Sequence, residues 1–377
     1  MKKIFYLSIT ALIIFEVLNV YFIMPFPKSQ RINSIDAAYY LHNWRWAFRV
    51  VFGFLIFFAG YQVVKSSKWH LLALIPLIAV AYLFNFQLSA DKMFLQPKTL
   101  VLKNAAESVV DKNRLVVGIE QNGEARAYPI QYIAYHHQVR DTLAGAPIMV
   151  TYCTVCRSGR VYEPLVGGKA ESFRLVGMDK FNAMFEDSTT KSWWRQANGQ
   201  AVAGALKGQM LPELETSQTT LHQWLELYPE SLIMQPDDEF AKEYENYRDY
   251  ENGKGGELTG TNANSWQDKS WVVGISAGDS AKAFDWNKLK SERIINDEVG
   301  KTPVVLFLAA DDKSFFAFER PNKETIFEIN DDKLFGGQSA YDMTGKSLNS
   351  SSGSLKKINA YQEFWHSWRS FHPNTEK

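Results

Sequence analysis

Apolar residues fill three long runs in the first 90 positions, at about 4–24, 46–64 and 69–88. Each is long enough to cross a hydrocarbon core of about 30 Å as a helix. Lys2 and Lys3 precede the first run, but no small-x-small pattern precedes Pro25, so the run reads as an uncleaved anchor and not as a signal peptide. Lys65-Ser66-Ser67-Lys68 joins the second and third runs as the turn of a helical hairpin. Arg49 lies near the edge of the second run, where its long side chain is expected to snorkel to the headgroups.

From residue 91 the pattern changes to short alternating runs broken by turn residues. Residues 115–120 and 124–128 flank Gln121-Asn122-Gly123, and Asn-Gly between two apolar runs predicts a hairpin. Residues 146–152 and 160–163 predict another, and 302–308 with 315–318 repeat it. Short amphipathic helices carrying tryptophan are expected at about 217–228 and 360–371. The order of strands and helices fits an antiparallel α+β class and not alternating βαβ units.

The chain also resembles itself. An offset of 156 residues lays VVGI at 116–119 on VVGI at 272–275, and carries Asp141 and Pro147 onto Asp297 and Pro303. With small gaps, DSTTKS at 187–192 falls on DMTGKS at 342–347, and WLELYP at 224–229 on WRSFHP at 368–373. The expected organisation is therefore three transmembrane helices within 1–90, a first β-rich copy at 100–235, a polar linker at 236–268 and a second, diverged copy at 269–374, each copy ending in a short helix. The linker is acidic early and glycine-rich late, and its alternative role is a lid over a site.

Charge narrows the function classes. With 41 basic and 41 acidic side chains and no basic stripe, nucleic acid is not an expected partner; the bilayer is, and no protein partner is indicated. Basic residues flank both ends of the apolar runs, so the positive-inside rule leaves the orientation open.

The candidate chemistry lies in the only two cysteines, Cys153 and Cys156. In the second copy Ala309 and Asp312 stand opposite them, and Glu292 stands opposite His136. A copy that keeps the apolar pattern and loses all three candidate ligands argues against a metal needed for folding. Arg157-Ser-Gly-Arg follows the pair, which reads as a turn into a strand and not as the helix of a thioredoxin motif; Arg157 also occupies the place of a c-type haem histidine. A C-x-x-C turn between strands can act as a metal knuckle, with His136 or His137 as a third ligand, and two thiolates with one imidazole suit zinc or copper. Asp141 is a candidate to orient the imidazole, and Arg157 would favour thiolate. Asn182, Asp187, Trp193 and Gln196 are pocket candidates, although turn formation and aromatic packing account for them as well. Two further readings remain open beside the metal site: a thiol–disulfide module using Cys153 and Cys156, and a binding or scaffold protein holding an inert disulfide. No Ser-His-Asp order, phosphate-binding glycine loop or paired-histidine zinc motif is present.

Tyr135-His136-His137-Gln138-Val139-Arg140-Asp141, then Thr151-Tyr-Cys-Thr-Val-Cys156 with Gly159, Asn182, Asp187 and Lys191-Ser-Trp-Trp-Arg-Gln196 resemble the domain of unknown function 3179 family over about residues 100–235. Thr154, His137, Arg140 and Arg157 stand where that pattern has Pro, Glu, Asn and Gly, and the changes at Thr154 and Arg157 alter the knuckle turn. The resemblance implies a membrane-anchored or exported β-rich domain, hence soluble copies on the extracytoplasmic side of a multi-pass membrane protein. It carries no established activity.

Overall fold

The computed structural model describes residues 1–349 and 353–377. The chain divides into two compact units. One gathers Met1–Leu95, Glu171–Arg195 and Gln200–Met210; the other gathers Gln96–Ala170, Gln196–Gly199 and Leu211–Lys377.

In the first unit, Lys2–Tyr21, Arg45–Val64 and Lys68–Gln87 are three helices long and apolar enough to cross a membrane. The third is composite. Its first turns, Lys68–Ala73, are 3-10, and α geometry runs over Leu74–Tyr82. Pro76 falls in the first turn of that α segment, where its missing N–H breaks no intrahelical bond. A π-turn at Leu83–Gln87 ends it, and there the Asn85 amide donates back to the Ala81 carbonyl at 2.8 Å.

That turn completes a polar triangle among the three helices. The Glu16 carboxylate accepts from Arg49 Nε at 2.7 Å and Nη2 at 2.8 Å; Arg49 Nη2 also donates to Asn85 Oδ1 at 2.6 Å, and Asn85 Nδ2 to Glu16 at 2.9 Å. Arg49 therefore does not snorkel. A buried carboxylate offers it a bidentate partner, and in an apolar surround neither charge is tolerable without the other. Glu16 lies late in its helix, Arg49 early and Asn85 late, so the three helices alternate in direction.

Packed with these helices are the short helix Ile35–Asn43 and an antiparallel sheet in the order Ala201–Ala203, Trp193–Arg195, Asn182–Asp187, Phe173–Asp179. Ile23, Ala38, Val176, Met184 and Trp193 form their shared core. A bulge opposite Met184 and Phe185 puts Gly177 at φ +153°, with the position of a Cβ only 2.3 Å from the Ile23 carbonyl oxygen. Only glycine allows that approach, which lets Met178 N–H bond to the same carbonyl at 2.8 Å.

The second unit contains the later β-rich stretch and the earlier one apart from Glu171–Arg195 and Gln200–Met210. Leu115–Gln121 and Glu124–Pro129 form the expected hairpin, followed by the helix Ile130–His136 and the meander Gln138–Leu143, Ala146–Cys153, Ser158–Tyr162. The later stretch runs in the same order: Trp271–Ala277, Ser280–Asp285, the helix Trp286–Glu292, then Ile294–Val299, Thr302–Leu308 and Phe315–Glu319. The closing helices are shorter than the sequence suggests. Ser217–Thr220 and Ala360–Phe364 are strands, paired to Leu115–Gln121 and Trp271–Ala277, and helix begins only at Leu221 and Trp365. An open sheet edge wins these residues because ladder pairing satisfies their backbone, which a frayed first helical turn would not.

Each stretch seats a tryptophan of its closing helix on a strand glycine. A Cβ on Gly118 would lie 2.4 Å from the Trp224 ring, and one on Gly274 would lie 2.1 Å from the Trp368 ring. Both rings are buried, and their indoles are tied to Ser231 and Thr375 at 2.8 Å, so neither can withdraw freely. Gly118→Ala and Gly274→Ala are each expected to lower stability by about 1–3 kcal/mol through overpacking. Urea denaturation of the full chain in detergent micelles checks this; unchanged midpoints would contradict it.

Candidate functional site

Cys153 ends one strand of the thiol hairpin and pairs in register with Ser158, so the connection Thr154–Arg157 holds Cys156 in a tight reversal. Arg157 takes φ +57°, a conformation that a glycine would adopt without strain. Both cysteines are thiols and both are buried, at 1% and 0% exposure. Gln196 braces the base of the hairpin: its amide accepts from Ser158 Oγ at 2.9 Å and donates to Thr151 Oγ1 at 3.2 Å and to the Ser158 carbonyl at 3.0 Å.

A turn buried this deeply has to place three carbonyls with no water to bond them. Each is bonded by a later part of the chain. Tyr250 Oη donates to the Thr154 carbonyl at 2.9 Å, Lys269 Nζ to that of Val155 at 2.8 Å, and the Phe364 N–H to that of Cys156 at 2.9 Å. His366 Nε2 stands 3.0 Å from the Val155 carbonyl and 3.2 Å from Lys269 Nζ, and carries a proton for the first or a lone pair for the second.

Arg157 and Arg160 extend this grip. Arg157 donates to Gln362 Oε1 at 2.9 Å and to the carbonyls of Tyr250 and Glu251 at 3.2 and 3.0 Å, and its guanidinium lies 3.7 Å from the centre of the Trp271 ring. Arg160 bonds Glu363 and stands 3.1 Å from Glu213. Burial opposes its charge, but Glu363, Tyr361 and Glu213 outweigh burial and raise its pKa. Breaking such a buried pair by removing one partner costs about 3–5 kcal/mol.

Electrostatics in the site centre on Lys269. Burial lowers the pKa of its ammonium, and the nearby Cys156 and Cys153, with Asp268, push it back up. The influence is mutual, since an ammonium in Coulombic reach of a thiol favours the thiolate. Burial, with Lys269 beside it, lowers His366 to about 4.

Each candidate third ligand has partners of its own. His136 ends its helix with Nε2 2.7 Å from the Tyr244 hydroxyl, enclosed edge-on by Phe240 and Tyr244. His137 turns through φ +61°, its Nδ1 3.1 Å from the Tyr135 carbonyl, and burial lowers its pKa to about 4. Asp141 serves no imidazole: it accepts from Tyr128 Oη at 2.6 Å and faces Arg126. Among the described residues no three His, Cys, Asp or Glu side chains stand close enough to share a metal ion.

Asn182, Asp187 and Trp193 belong to the first unit. Asn182 is buried at the start of its strand. Asp187 closes the DSTTKS turn, accepting from Thr190 Oγ1 at 2.7 Å, the Ser192 N–H at 3.1 Å and Trp194 Nε1 at 2.9 Å. Trp193 is core, edge-on to Tyr39 and bonded to Glu186 at 2.9 Å. These positions shape the sheet of the first unit.

Sequence reasoning missed Tyr250, Lys269, Phe364 and His366. The segment read as a polar linker holds the 3-10 turns Asp238–Phe240 and Tyr250–Asn252 and the helix Ala241–Glu245, with Phe240, Tyr244 and Tyr250 buried. Aromatics at 240, 244, 247 and 250 recur at helical spacing, a signal available in the sequence. Lys269 and His366 sit in no local motif.

Residues 96–375 match the family described as "Protein of unknown function (DUF3179)". The chain belongs to that family. The DUF3179 match reaches well past residue 235, taking in both β-rich stretches and the segment between them, and so includes Glu171–Arg195 and Gln200–Met210 of the first compact unit as well as nearly all of the second. No curated protein and no solved structure matches the chain.

The histidines give the DUF3179 unit a pH signature. His137 and His366 have folded pKa values of about 4 against an ordinary 6.5, so between those limits the unfolded chain binds more protons. Their contribution to stability is full above 6.5 and is lost as pH falls towards 4, on the order of 3 kcal/mol per histidine. Unfolding of the full chain at pH 7 and 4.5 should show a falling midpoint, with a smaller fall in His366→Asn. Equal falls in both proteins would contradict the role given to His366.

Proposed function

We propose that the protein is a membrane-anchored thiol–disulfide module in which Cys153 and Cys156 form a sheltered dithiol. The observation that carries this is two thiols three residues apart in one reversal, with the Lys269 ammonium bonded to the carbonyl between them. Lys269 supports the redox reading over the metal one in another way, because a fixed cation beside two sulfurs opposes a second cation there.

The reaction this arrangement suits is exchange with a disulfide of a small molecule or partner protein. A thiolate of the pair attacks one sulfur of the incoming disulfide, forming a mixed disulfide and expelling the other sulfur as thiolate. The second cysteine, deprotonated, displaces the remaining sulfur and closes the Cys153–Cys156 bond. The pair is oxidised by two electrons, the incoming disulfide is reduced to two thiols, and the two protons of the pair pass to the expelled thiolates. Burial requires the cover made by Tyr250, Lys269 and Phe364 to open first, which makes the module slow and selective. Three spans with the N-terminus inside would place the DUF3179 unit outside the cytoplasm, where an oxidising compartment suits such a pair. The matched glycine–tryptophan contacts and shared element order support reading the two β-rich stretches as diverged copies, the second specialised to cover the first.

The test is thiol titration and elemental analysis of the full chain equilibrated in glutathione redox buffers, beside Cys153→Ser and Lys269→Met. A reversible two-electron transition, absent in Cys153→Ser and moved to a lower potential in Lys269→Met, is expected, because losing the ammonium destabilises the reduced thiolate form. Thiols unchanged across the buffers would refute the module. About one equivalent of copper or zinc that disappears in Cys153→Ser would instead establish a metal site.

A further inference from the structure

The first unit holds a cavity of about 570 Å³ between the ends of its apolar helices and its small sheet, within the range typical of ligand sites. Part of its charge is internally balanced. Arg174 bonds Glu186 at 2.9 Å and Asp91 at 3.3 Å, and His42, lowered to about 3 by burial with Arg45 and Arg174 nearby, stays neutral beside them. Arg45, Lys92 and Lys191 also line the cavity; among the described residues no ion pair is formed by any of them, although Glu186 and Asp91 lie in Coulombic reach of Arg45. Arg45 is held by one bond, from Nη1 to the His42 carbonyl at 2.5 Å. The wall thus carries surplus positive charge.

Asn19 adds an independent sign of a ligand. It lies near the end of the first apolar helix, is 5% exposed and lines the same cavity, and its Oδ1 is buried with no hydrogen-bond partner. An amide buried in that way is expected to meet a polar group. Trp46 and Asn85 line this cavity and also the adjoining groove of about 610 Å³, whose other walls include Leu12, Leu77, Ile78 and Phe86. That groove opens on the apolar face of helices long enough to cross a membrane.

We propose that this pair of cavities seats one anionic membrane lipid, its phosphate against Arg45 and the lysines, a headgroup hydroxyl donating to Asn19 Oδ1, and an acyl chain in the groove. The proposal goes beyond the thiol module and rests only on the helices' insertion in a bilayer. Positive charge favours phosphate, the orphaned amide favours a hydroxyl-bearing headgroup over a choline, and continuity with an apolar groove favours a lipid over a free phosphate ester.

The full chain in nonionic detergent is titrated with phosphatidylglycerol, phosphatidylcholine or glycerol 3-phosphate, read by thermal shift and by native mass spectrometry for stoichiometry. One phosphatidylglycerol per chain is expected, with affinity reduced about tenfold in Arg45→Gln and in Asn19→Leu. Lys92→Gln/Lys191→Gln, altered outside the helix core, supplies the same comparison should either of those fail to fold. Equal binding of phosphatidylcholine, undiminished binding by the variants, or glycerol 3-phosphate binding as tightly as the lipid would each overturn the proposal. None of these outcomes touches the thiol titration, so the two readings fail separately; a chain that stays soluble without detergent would remove the bilayer itself.

Discussion

Three backbone carbonyls, those of Thr154, Val155 and Cys156, have to be bonded before the thiol turn can be buried, and the donors come from Tyr250, Lys269 and Phe364. An unmet buried carbonyl costs about 1–3 kcal/mol, so the turn and its cover stand or fall together. Arg157, fixed by two further carbonyls and an indole face, and Arg160, paired with Glu363, tie the same hairpin to the same later segments. The cysteine motif is therefore completed by residues about 100 to 210 positions away, and the second β-rich stretch is part of the site although it has no cysteine.

Burial separates this arrangement from exposed redox motifs. A thiol that meets solvent exchanges with whatever disulfide collides with it; under the proposed function the cover would have to yield first, and its stability would set the rate. Lys269 connects the two functions, since the same ammonium bonds the turn and favours thiolate. In the helical unit, Glu16, Arg49 and Asn85 show the same economy: each side chain answers the polar demand of another and together they fix the direction of three apolar helices.

Local patterning made much of the fold legible. The three apolar runs, the hairpin at Asn122-Gly123 and the strand pair around the cysteines appear within three residues of their expected limits, because each depends on periodicity or turn chemistry inside a short window. What depends on distant partners did not. Arg49 looked like a snorkelling residue until Glu16, 33 positions earlier, proved to be its partner; an acidic side chain inside an apolar run was the available sign. Asp141 looked like a histidine's partner and belongs to Tyr128. The rings that enclose His136, Phe240 and Tyr244, come from a segment whose polar composition hid its aromatic spacing. The cysteines themselves were legible at once, whereas the groups that decide their chemistry were not.

The most direct test of the cover is the rate at which Cys153 and Cys156 react with a maleimide in the folded full chain, compared with Tyr250→Phe/Lys269→Met. In that variant the Thr154 carbonyl loses its donor and the Val155 carbonyl keeps only His366, so labelling should be slow in the parent protein and at least about tenfold faster in the variant. Parent thiols that react as fast as those of the unfolded chain, or a variant no faster than the parent, would contradict the account.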